Sequence, residues 1–179
     1  MTRHAAFLRG INVGRAKRVA MADLRDLVEA LGYGDVVTIL NSGNVVFTAP
    51  AKLRGDPGPR IEKAVAEELG VTSRVTTLTA AEVEAAIEGN TLLGIAENPS
   101  RLLVAILAKS VDTKALGGLG RGDWTPGAFA HDGRAAYLWC PEGILESRLA
   151  KEFAAAIRDD ATTRNWATML RIREAMRRP

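Results

Sequence analysis

The apolar residues of the first half of the chain alternate between strand-like and helix-like spacing. Residues 5–11 predict a strand, and the β-branched runs 36–40 and 45–47 predict two more. The tetrapeptide Asn41-Ser42-Gly43-Asn44 between these runs consists of turn-forming residues, so the two strands form a predicted hairpin. Apolar residues at helical spacing, followed by Gly32 as a C-terminal cap, predict a helix before the hairpin: Met21, Leu24, Leu27, Val28 and Leu31.

The same order of elements continues beyond the hairpin. Apolar periodicity predicts a helix from near Pro59 to Gly70, and residues 71–78 predict a strand. Thr79-Ala80-Ala81-Glu82 matches a capping box, which marks the start of a helix over residues 80–87. The resulting β-α-β-β-α-β order is that of a ferredoxin-like split βαβ unit.

A second unit is predicted after Asn98-Pro99. Asp132-Gly133 is a strong two-residue hairpin signal between two apolar runs. The predicted elements of this half are a strand (101–108), a short helix (112–116), two hairpin strands (128–131 and 134–140), an amphipathic helix (145–157) and a final helix (about 165–177).

These patterns predict an α+β fold. Two tandem ferredoxin-like βαββα-type units, the second a degenerate copy, pack as one body with an added C-terminal helix. The predicted domains are residues 1–97 and residues 98–179.

Composition places the chain among ordinary globular proteins. Of 179 residues, 47% are hydrophobic and 25% are charged, which is enough to build a core. The single cysteine, Cys140, cannot form an internal disulfide, as is typical of a reducing compartment. No apolar run approaches the ~20 residues of a membrane span, and Arg9 interrupts the first apolar segment too early for a signal peptide. We therefore expect a cytoplasmic protein with no membrane partner.

Few residues could support metal or cofactor chemistry. The two histidines, His4 and His131, have no zinc-ligand spacing with Cys140, so no metal or other cofactor is expected. The stretch 118–123 has Asp123 where a dinucleotide loop needs its third glycine. No nucleophile elbow or Walker loop is present. Cys140 is interpreted as a buried structural thiol, and the question of enzymatic activity stays open at this stage.

Positive charge is concentrated at the two ends of the sequence. Residues 1–18 contain five basic and no acidic side chains, and residues 161–179 contain five arginines and one glutamate. With a net charge of +3, the rest of the chain is acidic. Such ends would form a basic face for an anionic partner if they met, whereas the alternative is that both are simply solvated.

Two polar motifs follow predicted strand ends. In Arg9-Gly10-Ile11-Asn12-Val13-Gly14 the glycines permit close approach of the backbone to a ligand, and the alternative is a tight turn with a satisfied Asn. Ser42-Gly43-Asn44 offers a small polar loop at the end of the sheet, and the alternative is that it is only a hairpin turn.

A third motif, Thr162-Thr163-Arg164-Asn165-Trp166, precedes the final helix. With Thr163 as N-cap and Arg164 in the first turn, the free N–H groups and the guanidinium would form an anion seat. The alternative is an internal ion pair between Arg164 and Asp159 or Asp160.

The three motifs together resemble those of a bacterial family of uncharacterised proteins, domain of unknown function 1697. The matching segments, in the same order as in the family, are residues 8–14, Met21, Leu24, residues 42–47, residues 162–166 and Thr168. The resemblance implies a two-part α/β fold related to ferredoxin-like units, and it implies no assigned activity.

The sequence-based hypothesis is a single cleft that binds a phosphate-bearing or other anionic ligand, either a nucleotide or a phosphorylated metabolite. Its expected ligand-binding residues are Arg9, Asn12, Ser42, Asn44, Thr163, Arg164 and Asn165. Two alternatives remain: nucleic-acid binding through the basic chain ends, and a non-catalytic protein-interaction module. The predicted partners are thus an anionic small molecule or a nucleic acid.

Overall fold

The structure, a computed structural model that describes residues 1–178, is an α+β fold of two four-stranded antiparallel sheets and six α-helices. In chain order the elements are β1 (Thr2–Leu8), α1 (Met21–Ala30), β2 (Gly34–Ile39), β3 (Asn44–Ala49), α2 (Gly58–Glu68), β4 (Val75–Thr79), α3 (Ala80–Glu88), β5 (Leu102–Leu107), α4 (Thr113–Gly120), β6 (Ala128–Asp132), β7 (Ala135–Trp139), α5 (Arg148–Ile157), β8 (Ala161–Asn165) and α6 (Trp166–Arg177). The predicted α+β class and C-terminal helix are confirmed.

Contacts divide the chain into two units. The first comprises Met1–Val83 together with the segment that starts at Arg171, and the second comprises Glu84–Leu170. The changes from one unit to the other fall inside α3 and α6, whereas the sequence-based boundary between residues 97 and 98 follows the order of elements and lies between α3 and β5.

The sheet of the first unit has the strand order β2-β3-β1-β4, which is the ferredoxin-like order. β1 is paired on both sides: Ala5 lies opposite Val46 of β3 and opposite Leu78 of β4. One face of this sheet packs against α1 and α2, with a core that includes Ala6, Leu8, Leu24, Val28, Val45, Phe47, Ile61 and Val65.

The predicted ends of two helices in this unit are confirmed by their hydrogen bonds. Gly32 follows α1 with φ +89°, and its N–H donates to the carbonyl of Glu29 at 2.9 Å. At the start of α3, the Thr79 N–H donates to Glu82 Oε2 at 2.8 Å and the Glu82 N–H donates to Thr79 Oγ1 at 3.3 Å. This reciprocal pair is the capping box that the sequence predicted.

Arg3 connects the first strand to the end of the last helix within the first unit. Its Nη1 donates to Thr48 Oγ1 at 3.2 Å, and its Nη2 donates to the carbonyl of Ala175 at 3.1 Å. A cation at a helix C-terminus is also favoured by the helix dipole. The segment of α6 from Arg171 onwards is therefore bound to β1, which explains why it belongs to this unit.

The sheet of the second unit repeats the order of the first, with β6-β7-β5-β8. The Asp132-Gly133 hairpin is confirmed, since β6 and β7 pair with Asp132 opposite Ala135 and Gly133 has φ +52°. One face of the sheet packs against α4 and α5, with a core that includes Leu103, Ala105, Leu107, Leu116, Leu138, Leu149 and Phe153.

The fourth strand of this unit was missed by the sequence-based prediction. Residues 161–165 form β8, which pairs antiparallel with β5 so that Val104 lies opposite Arg164. The unit is thus a complete βαββαβ fold and not a degenerate βαββα copy. A polar strand is tolerated here because β8 lies at the edge of the sheet and threonine fits an extended backbone.

The predicted N-cap of the final helix was also wrong. Thr163 and Arg164 lie in β8, and α6 begins at Trp166. Asn165 provides the cap, because its Oδ1 accepts a hydrogen bond from the Thr168 N–H at 2.9 Å and another from Thr168 Oγ1 at 2.8 Å. Asparagine is as good an N-cap as serine and better than threonine.

Across residues 1–178, no helix combines the length and the hydropathy that a membrane crossing requires.

His4 is a partly buried imidazole on β1. Its ring stacks on Phe47 with the centroids 5.7 Å apart, and its Nδ1 is buried without a hydrogen-bond partner within residues 1–178. Burial lowers the pKa of His4 below its usual value, and the charges of Asp56 and Glu82 act in the opposite direction with smaller effects.

Because the unfolded chain binds this proton more readily than the folded chain, His4 should destabilise the fold in acid. We expect the free energy of unfolding to fall as the pH drops below about 6.5, the ordinary histidine value, and His4→Leu to remove that part of the loss. Urea unfolding at pH 7 and pH 5 measures it. His131→Gln, which alters an exposed imidazole, is the control, and an identical pH response in His4→Leu and the native protein would contradict the prediction.

Candidate functional site

The loop between β1 and α1 contains the first polar motif and has an unusual backbone. Four of its residues lie in the left-handed region: Gly10 (φ +66°), Asn12 (+55°), Gly14 (+61°) and Lys17 (+49°). For Asn12 and Lys17 this conformation carries a steric cost, so the surrounding contacts must hold it in place.

The Asn12 side chain provides those contacts. Its Nδ2 donates to the carbonyl of Val19 at 2.9 Å and to the carbonyl of Asn41 at 2.7 Å, and its Oδ1 accepts from the Val19 N–H at 2.9 Å. The Asn12 N–H also donates to the carbonyl of Lys17 at 3.0 Å. Asn12 therefore closes the loop on itself and ties it to the β2–β3 turn.

Ser42 and Asn44 shape that turn. Asn44 is only 1% exposed, and its Nδ2 donates to the carbonyl of Ile39 at 2.8 Å and to Ser42 Oγ at 2.9 Å. The Leu8 N–H at the end of β1 donates to the carbonyl of Gly43 at 2.8 Å. The first two motifs thus meet, and we call residues 9–19 together with residues 41–44 the loop–turn junction.

Gly43 of the β2–β3 turn lies close to the side chains of Ile11 and Leu8. A Cβ at this position would lie 2.6 Å from Ile11 Cδ1 and 2.9 Å from Leu8 Cβ, and the residue has φ +79°. Glycine is required here both for the backbone conformation and for the space that Ile11, which is 3% exposed, occupies.

The backbone of Arg9 is fixed to the segment that leads into β4. Its N–H donates to the carbonyl of Arg74 at 2.9 Å, and its carbonyl accepts from Ser73 Oγ at 2.9 Å. Ser73 was not predicted as part of this region; nothing in its local sequence signals the contact, which depends on the pairing of β1 with β4.

The loop–turn junction carries four basic residues. Arg9 is partly buried, and the loop carries three exposed basic residues, Arg15, Lys17 and Arg18. The loop leads directly into α1, whose N-cap residue Ala20 makes no side-chain capping bond. Since N–H groups at a helix start favour anions, the end of the loop adds to the positive potential.

The other three predicted residues, Thr163, Arg164 and Asn165, lie on β8 in the second unit. Thr163 is exposed, and Asn165 caps α6. Arg164 is 8% exposed and its Nη1 donates to the carbonyl of Thr163 at 2.8 Å. Desolvation by burial lowers the pKa of Arg164 to about 10, so the guanidinium remains cationic at neutral pH. Asp160 Oδ1 accepts a hydrogen bond from Ser110 Oγ at 2.8 Å.

The structure therefore brings Arg9, Asn12, Ser42 and Asn44 together at one end of the first sheet. Hydrogen bonds within the fold already engage the side chains of Asn12, Ser42 and Asn44. A single cleft formed by all seven residues stays a prediction.

The cysteine and the glycine-rich stretch that the sequence analysis considered both lie in ordinary structural positions. Cys140 is buried, and burial raises the pKa of its thiol. Gly118 and Gly120 belong to α4. Among residues 1–178, no group of three histidine, cysteine or acidic side chains is arranged to hold a metal ion.

Two tandem split βαβ units, the first with a polar loop–turn junction, define a double ferredoxin-like α+β protein. A family model described as "Protein of unknown function (DUF1697)" matches residues 1–137, and the chain belongs to this family. The resemblance drawn from the motifs is thereby confirmed, although the third motif lies beyond the matched residues.

A solved structure shares this fold over nearly its whole length. It is that of the conserved bacterial protein SP0830 from Streptococcus pneumoniae, which superimposes with a TM-score of 0.74 at 20% sequence identity and covers 98% of this chain and 99% of that chain. At this identity the likeness concerns the fold alone. No curated protein matches the sequence.

The contact at Gly43 makes a testable prediction. Gly43→Ala should destabilise the protein by about 1–3 kcal/mol from overpacking against Ile11 and Leu8, in addition to a backbone cost of about 1–2 kcal/mol. Gly10→Ala is the matched control, because Gly10 has a similar φ of +66° but no atom within 4 Å of the added Cβ. Equal losses in urea unfolding for the two variants would show that the Gly43 contact has no energetic role.

Proposed function

We propose that this protein binds a phosphate-bearing small molecule, a nucleotide or a phosphorylated metabolite, at the loop–turn junction. The observation that carries the proposal is the set of three hydrogen bonds by which Asn12 holds a basic, glycine-containing loop in left-handed conformations. Strained backbone that is held in place by dedicated contacts is typical of ligand-binding segments.

Charge supports an anionic ligand. No acidic residue occurs before Asp23, so the positive charges of the loop have no acidic neighbour in sequence. Arg15 and Arg18 are exposed and can present forked N–H donors to phosphate oxygens, while Lys17 adds a compact cation. The uncapped start of α1 adds backbone N–H donors at the end of the same loop.

The backbone itself supports the same ligand class. Left-handed residues alternate along the loop at Gly10, Asn12 and Gly14. Left-handed residues in a loop can turn neighbouring N–H groups towards one concave side, where they bind anions. Asn12, Ser42 and Asn44 then act as positioning residues, and Arg9 with the loop cations supplies the charge. The participation of Thr163, Arg164 and Asn165 in ligand binding is a separate part of the hypothesis.

A small molecule fits this region better than a single-stranded nucleic acid. Proteins that bind single strands use exposed aromatic rings as stacking platforms. Within residues 1–178, every Phe, Tyr and Trp side chain is buried or partly buried. The loop could therefore attract the phosphates of a nucleic acid, but the described residues offer no exposed aromatic ring on which its bases could stack.

The proposal predicts stabilisation by phosphorylated ligands that depends on the loop charges. At a ligand concentration 100 times the Kd, binding contributes about 2.7 kcal/mol, which corresponds to a rise in Tm of roughly 5–10 °C for a chain of this size. We expect this rise in a thermal-shift screen of nucleotides and sugar phosphates, and we expect Arg15→Gln/Lys17→Gln/Arg18→Gln to abolish it.

The control is Lys52→Gln/Arg54→Gln/Lys63→Gln, which removes the same charge from exposed positions of the same unit. Repeating the screen at about 50 mM and about 200 mM salt separates the alternatives, because nucleic-acid binding through many phosphate contacts would weaken steeply. A flat screen, or a shift that the loop variant keeps, would refute the proposal and favour the interaction-module alternative.

A further inference from the structure

A cavity of about 400 Å³ lies in the first unit beside its edge strand β2. Small-molecule sites in proteins have volumes of roughly 300–1,000 Å³, so this cavity is large enough for a ligand. Two arginines and two carboxylates line it, together with valine and alanine side chains. The described lining residues all lie outside the loop–turn junction, so the cavity is a separate candidate site.

Strand pairing explains how β1 and β2 both contribute to the cavity. Arg3 of β1 lies opposite Thr48 of β3, and Val37 of β2 lies opposite Val46 of β3. Residues two apart on a strand point to the same face of the sheet, so Arg3 and Val37 share a face. It is the face away from α1 and α2, whose core contains the intervening Phe47.

Arg3 is a fixed cationic donor on the wall of the cavity. Its Nη1 donates to Thr48 Oγ1 at 3.2 Å, and its Nη2 donates to the carbonyl of Ala175, another lining residue, at 3.1 Å. Each of these nitrogens carries two N–H groups, so each hydrogen bond leaves one N–H for a ligand. A guanidinium that is already held in place loses little freedom when a carboxylate binds to it.

Asp35 supplies negative charge to the same cavity from an irregular part of β2. The register between β2 and β3 shifts between Gly34 and Val37, as at a β-bulge. Asp35 lies in this segment, is exposed and has φ +49°. Bulges redirect side chains, and a non-glycine residue held in the left-handed region is typical of functional positions.

The other two charged lining residues belong to exposed ion pairs. Glu29 Oε1 lies 3.9 Å from Arg25 Nε, and Arg178 Nη2 lies 3.0 Å from Glu174 Oε1. With two cations and two carboxylates, the lining has no overall preference for a simple anion or a simple cation. Charge complementarity instead favours a ligand that carries both signs.

The geometry points to a binding site for a small zwitterion, an amino acid or a dipeptide with an aliphatic side chain. The ligand carboxylate accepts hydrogen bonds from Arg3, its ammonium donates to Asp35, and its side chain packs on Val37, which is 44% exposed. Gly34, next to Asp35, lies opposite Thr48, so about two strand spacings, roughly 10 Å, separate its backbone from that of Arg3. This distance leaves room for a ligand between the two charged groups.

The test uses the full chain and four probes at pH 7 and fixed ionic strength. Leucine and alanyl-leucine carry both charges, N-acetyl-leucine lacks the ammonium, and leucinamide lacks the carboxylate. Each is added at about 10 mM, which exceeds a Kd in the low millimolar range. Tm is measured with and without each probe, and the amide signals of Asp35, Val37 and Ala175 in a ¹⁵N-labelled sample report binding at the cavity.

We expect leucine, alanyl-leucine or both to raise the Tm by at least roughly 2 °C and to shift those three amide signals. N-acetyl-leucine and leucinamide should do neither. A response to leucine alone would identify an amino-acid site, and a response to alanyl-leucine alone would identify a dipeptide site. Both results support the proposal.

Asp35→Asn is the main variant, because asparagine also tolerates a positive φ and the change removes only the charge. It should weaken binding of the zwitterion by about tenfold or more, the effect of losing a charge-assisted hydrogen bond. The matched control is Glu67→Gln, which removes one exposed carboxylate of α2 and should bind as the native protein does. Arg3→Met should also abolish binding, although it removes two hydrogen bonds of the fold as well.

Three results would overturn the inference. The first is that neither zwitterion changes the Tm or the three amide signals. The second is that N-acetyl-leucine or leucinamide binds as tightly as leucine, because one of the two charges would then be unnecessary. The third is that Asp35→Asn and Glu67→Gln bind the zwitterion equally well.

Discussion

Both sheets depend on a first strand that is paired on each side with strands from much later in its unit. β1 lies between β3 and β4, and β5 lies between β7 and β8. All six residues of β5 are buried, as are Ala5 to Leu8 of β1, so a slip in register by one residue would exchange the side chains that pack on the two faces. The register also determines which loops lie side by side at the end of the sheet. Because Phe7 lies opposite Asn44, the loop after β1 lies beside the β2–β3 turn.

The polar residues of the first two motifs stabilise this end of the sheet by satisfying backbone groups. Asn12 bonds three backbone groups of Val19 and Asn41, and Asn44 bonds the carbonyl of Ile39. Side chains that are occupied in this way cannot also be the main ligand contacts. The groups left for the proposed ligand are the positive charges of the loop and its backbone N–H groups other than those bonded within the fold, such as that of Asn12. The proposed role of the asparagines is therefore to position the loop.

Local signals in the sequence predicted much of the fold. They missed β8, which forms through its non-local pairing with β5. The Asp132-Gly133 turn, the Thr79 capping box and Gly32 each determine their own conformation, and all three are observed. β8 has no apolar alternation, and its threonines suit a helix cap as well as a strand. Only pairing with β5 selects the strand. For the same reason, the meeting of Asn12 with the turn followed from adjacent strand ends, whereas its bonds to Val19 and Asn41 depend on backbone that the sequence does not specify.

The hydrogen bond from Arg3 to Ala175 has a consequence for biosynthesis. It joins residues that are 172 positions apart, and the unit that contains β1 to β4 also contains the last turns of α6. The four strands of this unit leave the ribosome first. Their contacts with the α6 segment form only after the whole of the second unit has been translated. During synthesis the first unit therefore lacks its last segment, residues 171 onwards, until translation ends. The second unit is continuous in sequence and can form its whole sheet as it leaves the ribosome.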